Sequence, residues 1–224
     1  MGRARPDVAG PAQVTPYYDV DGTTIYHADC ADVFPLVPPE AVDLLLTDPP
    51  YGIDLDTDYS ALHGSHRVYA RVEGDAAPFN PKALLTYGRC VLWGGNHYAS
   101  RLPDSPSWLV WDKRGHQQST VFSDVEMAWT NLGGPAVKYR HLWGVNRETE
   151  RGLYVHPTQK PVALMRWIVD RWTEPGDLVF DPYMGSGPVA RACADLGRRY
   201  IGVEIVEEYC QAAVNRLGQM ALPL

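Results

Sequence analysis

The sequence predicts an α/β domain, a mostly parallel twisted sheet with helices on both faces. Three observations carry this expectation. From Leu178 to Leu217, runs of strand length alternate with helical periods, the β-α-β-α alternation that lays parallel strands side by side. Leu44 to Leu46 form an unbroken aliphatic run, as expected of a strand covered on both faces. The chain of 224 residues, 45% hydrophobic, is long enough to bury roughly 70% of its unfolded surface around one core.

In chain order, residues 1–23 read as an N-terminal arm, because MGRARPDVAGPAQVTP carries charge and proline but no apolar signal segment. TIYHA, residues 24–28, reads as a strand ending at Asp29, and Cys30 to Val37 as a short helix or turn cut by prolines. The next strand closes in LLLTDPPYGI. There Asp48 stands where the strand leaves the sheet, and Pro49-Pro50 lack the N–H groups a ladder needs. On these residues alone a rigid turn and a functional corner stand equally open. Residues 54–80 are polar, rich in glycine, tyrosine and histidine, and without a sustained period, which predicts a long mobile loop.

A helix is expected at Pro81 to Tyr87, a strand at Cys90 to Trp93, and a helix from Asn96 to Arg101. Strands are expected at Trp108 to Trp111, Val125 to Trp129 and Val137 to Trp143, before loop-like sequence from Asn146 to Val155. Pro161 sits at a favoured first helical position, and Leu164, Trp167, Ile168 and Trp172 repeat at helical spacing until Glu174-Pro175-Gly176. Strand Leu178 to Phe180, helix Gly187 to Leu196, strand Tyr200 to Val203 and helix Val206 to Leu217 complete the run, with a tail at 220–224.

Composition removes several function classes. No apolar run approaches the ~20 residues that cross a bilayer, so the expectation is a soluble, cytoplasmic protein. Cys30, Cys90, Cys193 and Cys210 are scattered without a C-x-x-C pair, and His63 and His66 lack further ligands, so neither a metal nor a disulfide framework is expected. The formal charge of −7 argues against nonspecific coating of nucleic acid. Yet 16 of the 20 basic residues are arginine, the side chain that forks onto phosphates and base edges. They gather as Arg67 and Arg71, as Lys113 and Arg114 with His116, and as Lys138, Arg140, Arg147 and Arg151 with His141. Each group alone reads more readily as solvated surface than as a binding site.

DLVFDPYMGSGPVARACADLGRRYIGVEI, residues 177–205, is the most informative passage. A strand ends at Asp181, the turn Gly185-Ser186-Gly187 opens a helix, and a second strand ends at Glu204. That geometry binds nucleotides: glycines admit a ligand close to the backbone, and the second acid accepts ribose hydroxyls. Ala190 takes the third glycine position of the dinucleotide fingerprint. Asp181 at the mouth of the turn would repel a pyrophosphate and welcome a cation, which suits an adenosine cofactor carrying an ammonium and a sulfonium, S-adenosylmethionine, better than NAD. HPTQKP, residues 156–161, reads as a helix entry with Thr158 as a cap, and its N–H groups could also bind a carboxylate.

DPPYG, HPTQKPVALM, FDPYMGSG and YIGVEI, in that order, resemble the amino-group (N6-adenine/N4-cytosine) DNA methyltransferases, specifically the permuted subgroup whose catalytic motif precedes the cofactor motif. The resemblance runs from Tyr26 to Leu217. It implies a Rossmann-like S-adenosylmethionine-dependent methyltransferase fold whose chain starts at the third strand of the family's sheet and ends with the first two. It implies a single methyltransferase domain at 24–219, with a catalytic half at 24–130, a short target-recognition segment at 131–155 and a cofactor half at 156–219. Asp29, with Cys30, matches the adenine side of the donor. Asp181, Pro182, Tyr183, Gly185, Ser186 and Gly187 match the methionine side, Glu204 and Ile205 the ribose end, and His156, Thr158 and Lys160 the motif closing over the methionine. Pro188 departs from the family's usual threonine, which removes a hydroxyl contact but suits a first helical turn.

The resemblance also gives the opening motif its chemistry. An exocyclic amino nitrogen is a poor nucleophile, because its lone pair is delocalised into the ring. Asp48 and the Pro49 carbonyl can each accept one amino hydrogen, aiming the lone pair at the donor's methyl group, while Pro50 stiffens the corner and Tyr51 stacks on a flipped base. Ring-carbon methylation would need an activated thiolate, and no Pro-Cys pair exists. The resemblance therefore implies adenine-N6 methylation of double-stranded DNA, with S-adenosylhomocysteine as by-product. Arg67, Arg71, Lys113, Arg114, Lys138, Arg140, Arg147 and Arg151 become candidates for holding DNA. Cytosine N4 is the alternative target, and a catalytically silent DNA-binding or cofactor-sensing module, or a methyltransferase for RNA or small molecules, the alternative function. The short recognition segment leaves room for a homodimer, and the family for a restriction endonuclease partner.

Overall fold

The computed structural model describes residues 14–55, 71–115, 123–142 and 159–218. The strands are β1 (Tyr18–Val20), β2 (Thr23–His27), β3 (Leu44–Thr47), β4 (Cys90–Trp93), β5 (Trp108–Asp112), β6 (Val125–Thr130), β7 (Val137–Arg140), β8 (Leu178–Asp181) and β9 (Arg199–Glu204). The α-helices are α1 (Cys30–Val33), α2 (Val162–Trp172), α3 (Pro188–Leu196) and α4 (Glu207–Leu217). Among the described residues the strands form one sheet in the order β1-β2-β9-β8-β3-β4-β6-β5-β7. From β2 to β4 in that order every pairing is parallel. β6 lies antiparallel between β4 and β5, and β7 pairs parallel with β5.

The pleat of β3 shows why its aliphatic run is unbroken. Leu44 and Leu46 enter a core with Val91 and Trp93 of β4, Leu164 and Ile168 of α2, Val189 of α3 and Ala213 of α4. Leu45 points the other way, among Val33, Leu84, Leu92, Tyr98 and Phe180. Alternate residues thus serve two cores, and all three are fully buried. The two faces are covered unequally. α2, α3 and α4 pack on the first, whereas α1 and 3-10 turns at Phe34–Leu36, Pro81–Thr86, Gly95–His97 and Ala99–Arg101 cover the second.

Two expected helices are therefore corrected to 3-10 geometry. Pro81 and the capping side chain of Asn80 fix the start of the first, and Tyr87 leaves the helical region at once. The second is broken at Tyr98, whose backbone separates two single turns. Segments this short form too few i to i−4 bonds to repay α nucleation. Pro161 also stands one position earlier than expected, as the cap of α2 rather than its first residue.

The expected N-terminal arm is shorter than 1–23. Tyr18–Val20 pairs antiparallel with Thr23–Ile25 across the two-residue turn Asp21-Gly22. Both turn residues have positive φ, 49° and 76°, the mirror-image turn that Asp-Gly favours and that matches the twist of a hairpin. The sequence carried that signal. The expected mobile loop at 54–80 is likewise anchored at its far end, where Phe79 is buried edge-on against Tyr98 and Tyr183.

Leu46→Ala should cost about 2–5 kcal/mol of unfolding free energy in urea, while Leu36→Ala, at a half-exposed site on the opposite face of the sheet, should stay within about 0.5 kcal/mol.

Candidate active site

The carboxyl ends of β2, β9, β8, β3 and β4 emerge along one edge of the sheet. β6 runs the opposite way, so its first residues lie at that same edge, with Gly94 N–H bonded to the Met127 carbonyl. Between β8 and β3 the chain turns to opposite sides, β8 leading through α3 to β9 and β3 leading to β4. Such a switch point opens a crevice beyond the strand ends. Asp48 follows β3, Asp181 ends β8 and Glu204 ends β9, so three of the expected acids line one edge.

Asp48 is held by two donors. Tyr51 donates its hydroxyl to Asp48 Oδ1 at 2.6 Å, and Lys160 Nζ donates to Oδ2 at 2.6 Å. The Lys160 ammonium is 2% exposed and also reaches Glu126 Oε2 at 3.0 Å and the Tyr51 hydroxyl oxygen at 3.2 Å. Its three N–H groups thus have three acceptors. Glu126 in turn accepts from Lys113 Nζ at 2.9 Å. Burial pushes the Asp48 carboxyl up; Lys160 and Tyr51 pull it back, and Glu126 pushes it up further. Glu126 is also penalised by burial, but the Lys160 and Lys113 ammonium groups hold it below its ordinary value. The Lys160 ammonium is held well above its ordinary value, the two carboxylates outweighing its burial.

The corner that carries Asp48 is fixed from outside. Asp75, 5% exposed, accepts the backbone N–H groups of Gly52 at 2.7 Å, Leu55 at 2.8 Å and Ile53 at 3.4 Å. Tyr51 stacks on His97 with ring centroids 5.0 Å apart and 11° between planes. Its ring also lies so close over Gly94 that a Cβ there would occupy it, and Gly94 has a φ of 69°. A side chain at 94 would displace the tyrosine.

The glycine turn forms the other wall. Glu204 Oε2 accepts the Gly185 N–H at 2.9 Å, and Oε1 the Val206 N–H at 2.9 Å. Ser186 donates its hydroxyl to Gln159 Oε1 at 2.8 Å, and Arg216, itself 2% exposed, donates to the Ser186 carbonyl at 3.0 Å. Consecutive residues 159 and 160 therefore tie the turn to the Asp48 carboxylate. Asp181 lies beneath this surface, 2% exposed, accepting from the Thr47 hydroxyl at 2.6 Å and the Tyr183 N–H at 3.3 Å. Burial pushes it up to about 7, against the hydrogen bonds from Thr47 and Tyr183.

Above Gly185 the space is open, beside the clamped Glu204 at the end of β9 and the half-exposed Ile205. Asp29 caps α1, accepting from Ala31 N–H, and Cys30 is half-buried against Tyr183. Pro182 is buried, and Pro188 opens α3 as its first residue.

Among the described residues the expected DNA-binding side chains are paired with nearby carboxylates. Lys113 turns inward to Glu126, so its charge is used inside the crevice. Arg114 pairs with Asp124, Lys138 and Arg140 with Asp112, and the exposed Arg71 with Asp54. Arg67, Arg147, Arg151, His156 and Thr158 lie outside the described residues. Sequence reasoning missed Glu126, Asp75, Gln159 and His97. Glu126 had a signal, a charge inside the apolar strand VEMAWT; the other three sit in segments without a period.

Comparison with known proteins identifies the family by one match and the fold by several. A family model described as DNA methylase matches residues 92–215. Type II methyltransferase M2.LlaDCHI of Lactococcus lactis subsp. cremoris is 23% identical, with 95% of each chain covered. Type II methyltransferase M2.DpnII of Streptococcus pneumoniae is also 23% identical, over 93% of this chain and 94% of that protein. Among solved structures, a complex of M1.HpyAVI with SAM superposes with a TM-score of 0.55 at 24% identity, covering 88% of this chain and all of that one. PvuII DNA methyltransferase, cytosine-N4-specific, gives 0.63 at 16% identity over 94% and 92%. At these identities the structural likeness speaks for the fold.

Asp75→Ala should lower unfolding free energy by about 2 kcal/mol, the cost of leaving backbone donors poorly satisfied where water has partial access. Asp181 is raised in the folded state, so its contribution to stability is complete below the unfolded carboxyl value and is lost as pH rises through about 7. Asp181→Asn should therefore gain on the parent protein between pH 4 and 8, by on the order of a few kcal/mol in denaturant titrations.

Proposed function

Because the chain belongs to the DNA methylase family, by a match over residues 92–215, we propose that it transfers a methyl group from S-adenosylmethionine to the exocyclic N6 of an adenine flipped out of DNA. The observation that carries this reading is the Asp48 carboxylate, fixed at the switch point and joined through Lys160 and Gln159 to the glycine turn. Its side chain is 28% exposed, so an amino group can reach it, and each oxygen keeps a second lone pair.

S-adenosylmethionine supplies, when bound, a methyl carbon activated by a positively charged sulfur, and leaves as S-adenosylhomocysteine. Glu204, Ile205, Asp29 and the turn at 185–187 would hold its adenosine and orient it towards Asp48. Asp48 and the Pro49 carbonyl each accept one amino hydrogen, which localises the nitrogen's lone pair. With the donor bound, the lone pair would form the C–N bond while the C–S electron pair leaves with sulfur, and Asp48 would take the surplus proton. Positioning and charge placement supply the acceleration, and no covalent enzyme intermediate is needed. Tyr51, already oriented by Asp48 and His97, offers a stacking surface of about 1–3 kcal/mol against a flipping cost of a few kcal/mol. We assign DNA contact to the segment 131–155, whose described part carries Lys138 and Arg140 on the edge strand β7. An acid rather than serine before Pro-Pro-Tyr supports adenine over cytosine.

Mass spectrometry of nucleosides from methylated DNA should find N6-methyladenine. Finding N4-methylcytosine alone would overturn the base assignment. Asp48→Ala should cut methyl transfer by about 10²–10³-fold while leaving donor binding intact; undiminished transfer would remove Asp48 from the chemistry.

A further inference from the structure

We propose that Lys113, Glu126 and Lys160 form a buried chain of alternating charge in which Lys160 holds Asp48 as the anion and aims its carboxylate while Glu126 shares and tempers that cation, Lys160 and Glu126 being positioning residues for the reaction proposed above, on which this assignment rests. The chain runs from Lys113 Nζ to Glu126 Oε1 at 2.9 Å, from Glu126 Oε2 to Lys160 Nζ at 3.0 Å, and from Lys160 to Asp48 Oδ2 at 2.6 Å. Two cations and two anions cancel. That matters because the side chains of Lys160, Lys113, Glu126 and Asp48 are only 2%, 12%, 23% and 28% exposed, too little for water to screen a surplus charge.

Each member is set by a different element. Lys113 follows β5 and Glu126 lies on the antiparallel β6, directly across from Trp111. Lys160 precedes α2 and Asp48 follows β3. Antiparallel β6 is what brings a side chain from a strand's start to an edge otherwise made of strand ends.

A carboxylate that must accept an amino hydrogen is useless once protonated, and the surroundings of Asp48 are divided. Lys160 and the Tyr51 hydroxyl favour the anion; burial and the negative charge of Glu126 disfavour it. Asp181 on β8 and Tyr98 behind Tyr51 are the other titratable groups that feel its charge. Lys160 is the cation bonded to Asp48, and Glu126 is the group that shares that cation and tempers its pull. Removing them should therefore move Asp48 in opposite directions, which simple loss of packing would not do.

The test is a carbon-13 NMR titration of the Asp48 carboxyl, assigned by comparison with Asp48→Asn, beside pH profiles of kcat/KM on DNA at saturating donor. Lys160→Met should raise the Asp48 titration and the acid limb of the profile by at least one pH unit, a tenfold or greater loss at neutral pH regained in alkali. Glu126→Gln, isosteric with the parent, should lower the titration. The double variant should lie between Lys160→Met and the parent, and Lys160→Arg should leave the titration near the parent whatever its rate. A titration unmoved by Lys160→Met and Glu126→Gln, or moved the same way by both, would overturn the proposal whatever the substrate. Opposite shifts in a protein that methylates no DNA would instead overturn the function above and leave the charge chain standing.

Discussion

A lysine ammonium almost sealed from water is tolerated only where acceptors meet every N–H and opposite charge lies within contact distance. Lys160 meets both conditions at one point, through Asp48, Glu126 and Tyr51. Satisfying it requires the end of β3, the start of β6 and the approach to α2 to converge, although Asp48 and Lys160 are 112 residues apart in the chain. Misplacing any of the three would leave a charge buried alone, at a cost comparable to a large part of a domain's net stability. The same contact makes the crevice rigid before any ligand arrives, because Tyr51 is oriented by the carboxylate that Lys160 holds.

Strand order turns this local demand into an active-site layout. β8 and β3 are neighbours in space and distant in sequence, with Thr47 bonded to Asp181 across 134 residues. The sheet thereby sets the acid of one strand end beside the glycine turn of the next. Residues 159 and 160 then bind the two walls together, one through Ser186 and the other through Asp48.

Charge is spent differently inside and outside this crevice. Lys113, which the sequence groups with surface cations, is drawn inside by Glu126. At the sheet's far edge Asp112 holds Lys138 and Arg140, and its carboxyl sits below the ordinary value chiefly through the Gly115 N–H. Those two cations project from an edge strand, where a phosphate could compete with Asp112 at little desolvation cost.

The sequence by itself determined the α/β class, the strand at Leu44–Leu46, the helices expected at Gly187–Leu196 and Val206–Leu217, whose first residues the structure makes caps, and the acids that close three strands. These follow from local period and from the proline and glycine that interrupt it, physics that acts within a few residues. Even the Asp21-Gly22 hairpin lay within that range. Only the tertiary structure decided which acids share a neighbour. Glu126 reads in sequence as a stray charge in an apolar strand, Asp75 as one more polar loop residue, and Lys113 as surface. Each acquires its role from a partner brought in by strand order, and no local pattern encodes which strand will lie beside which.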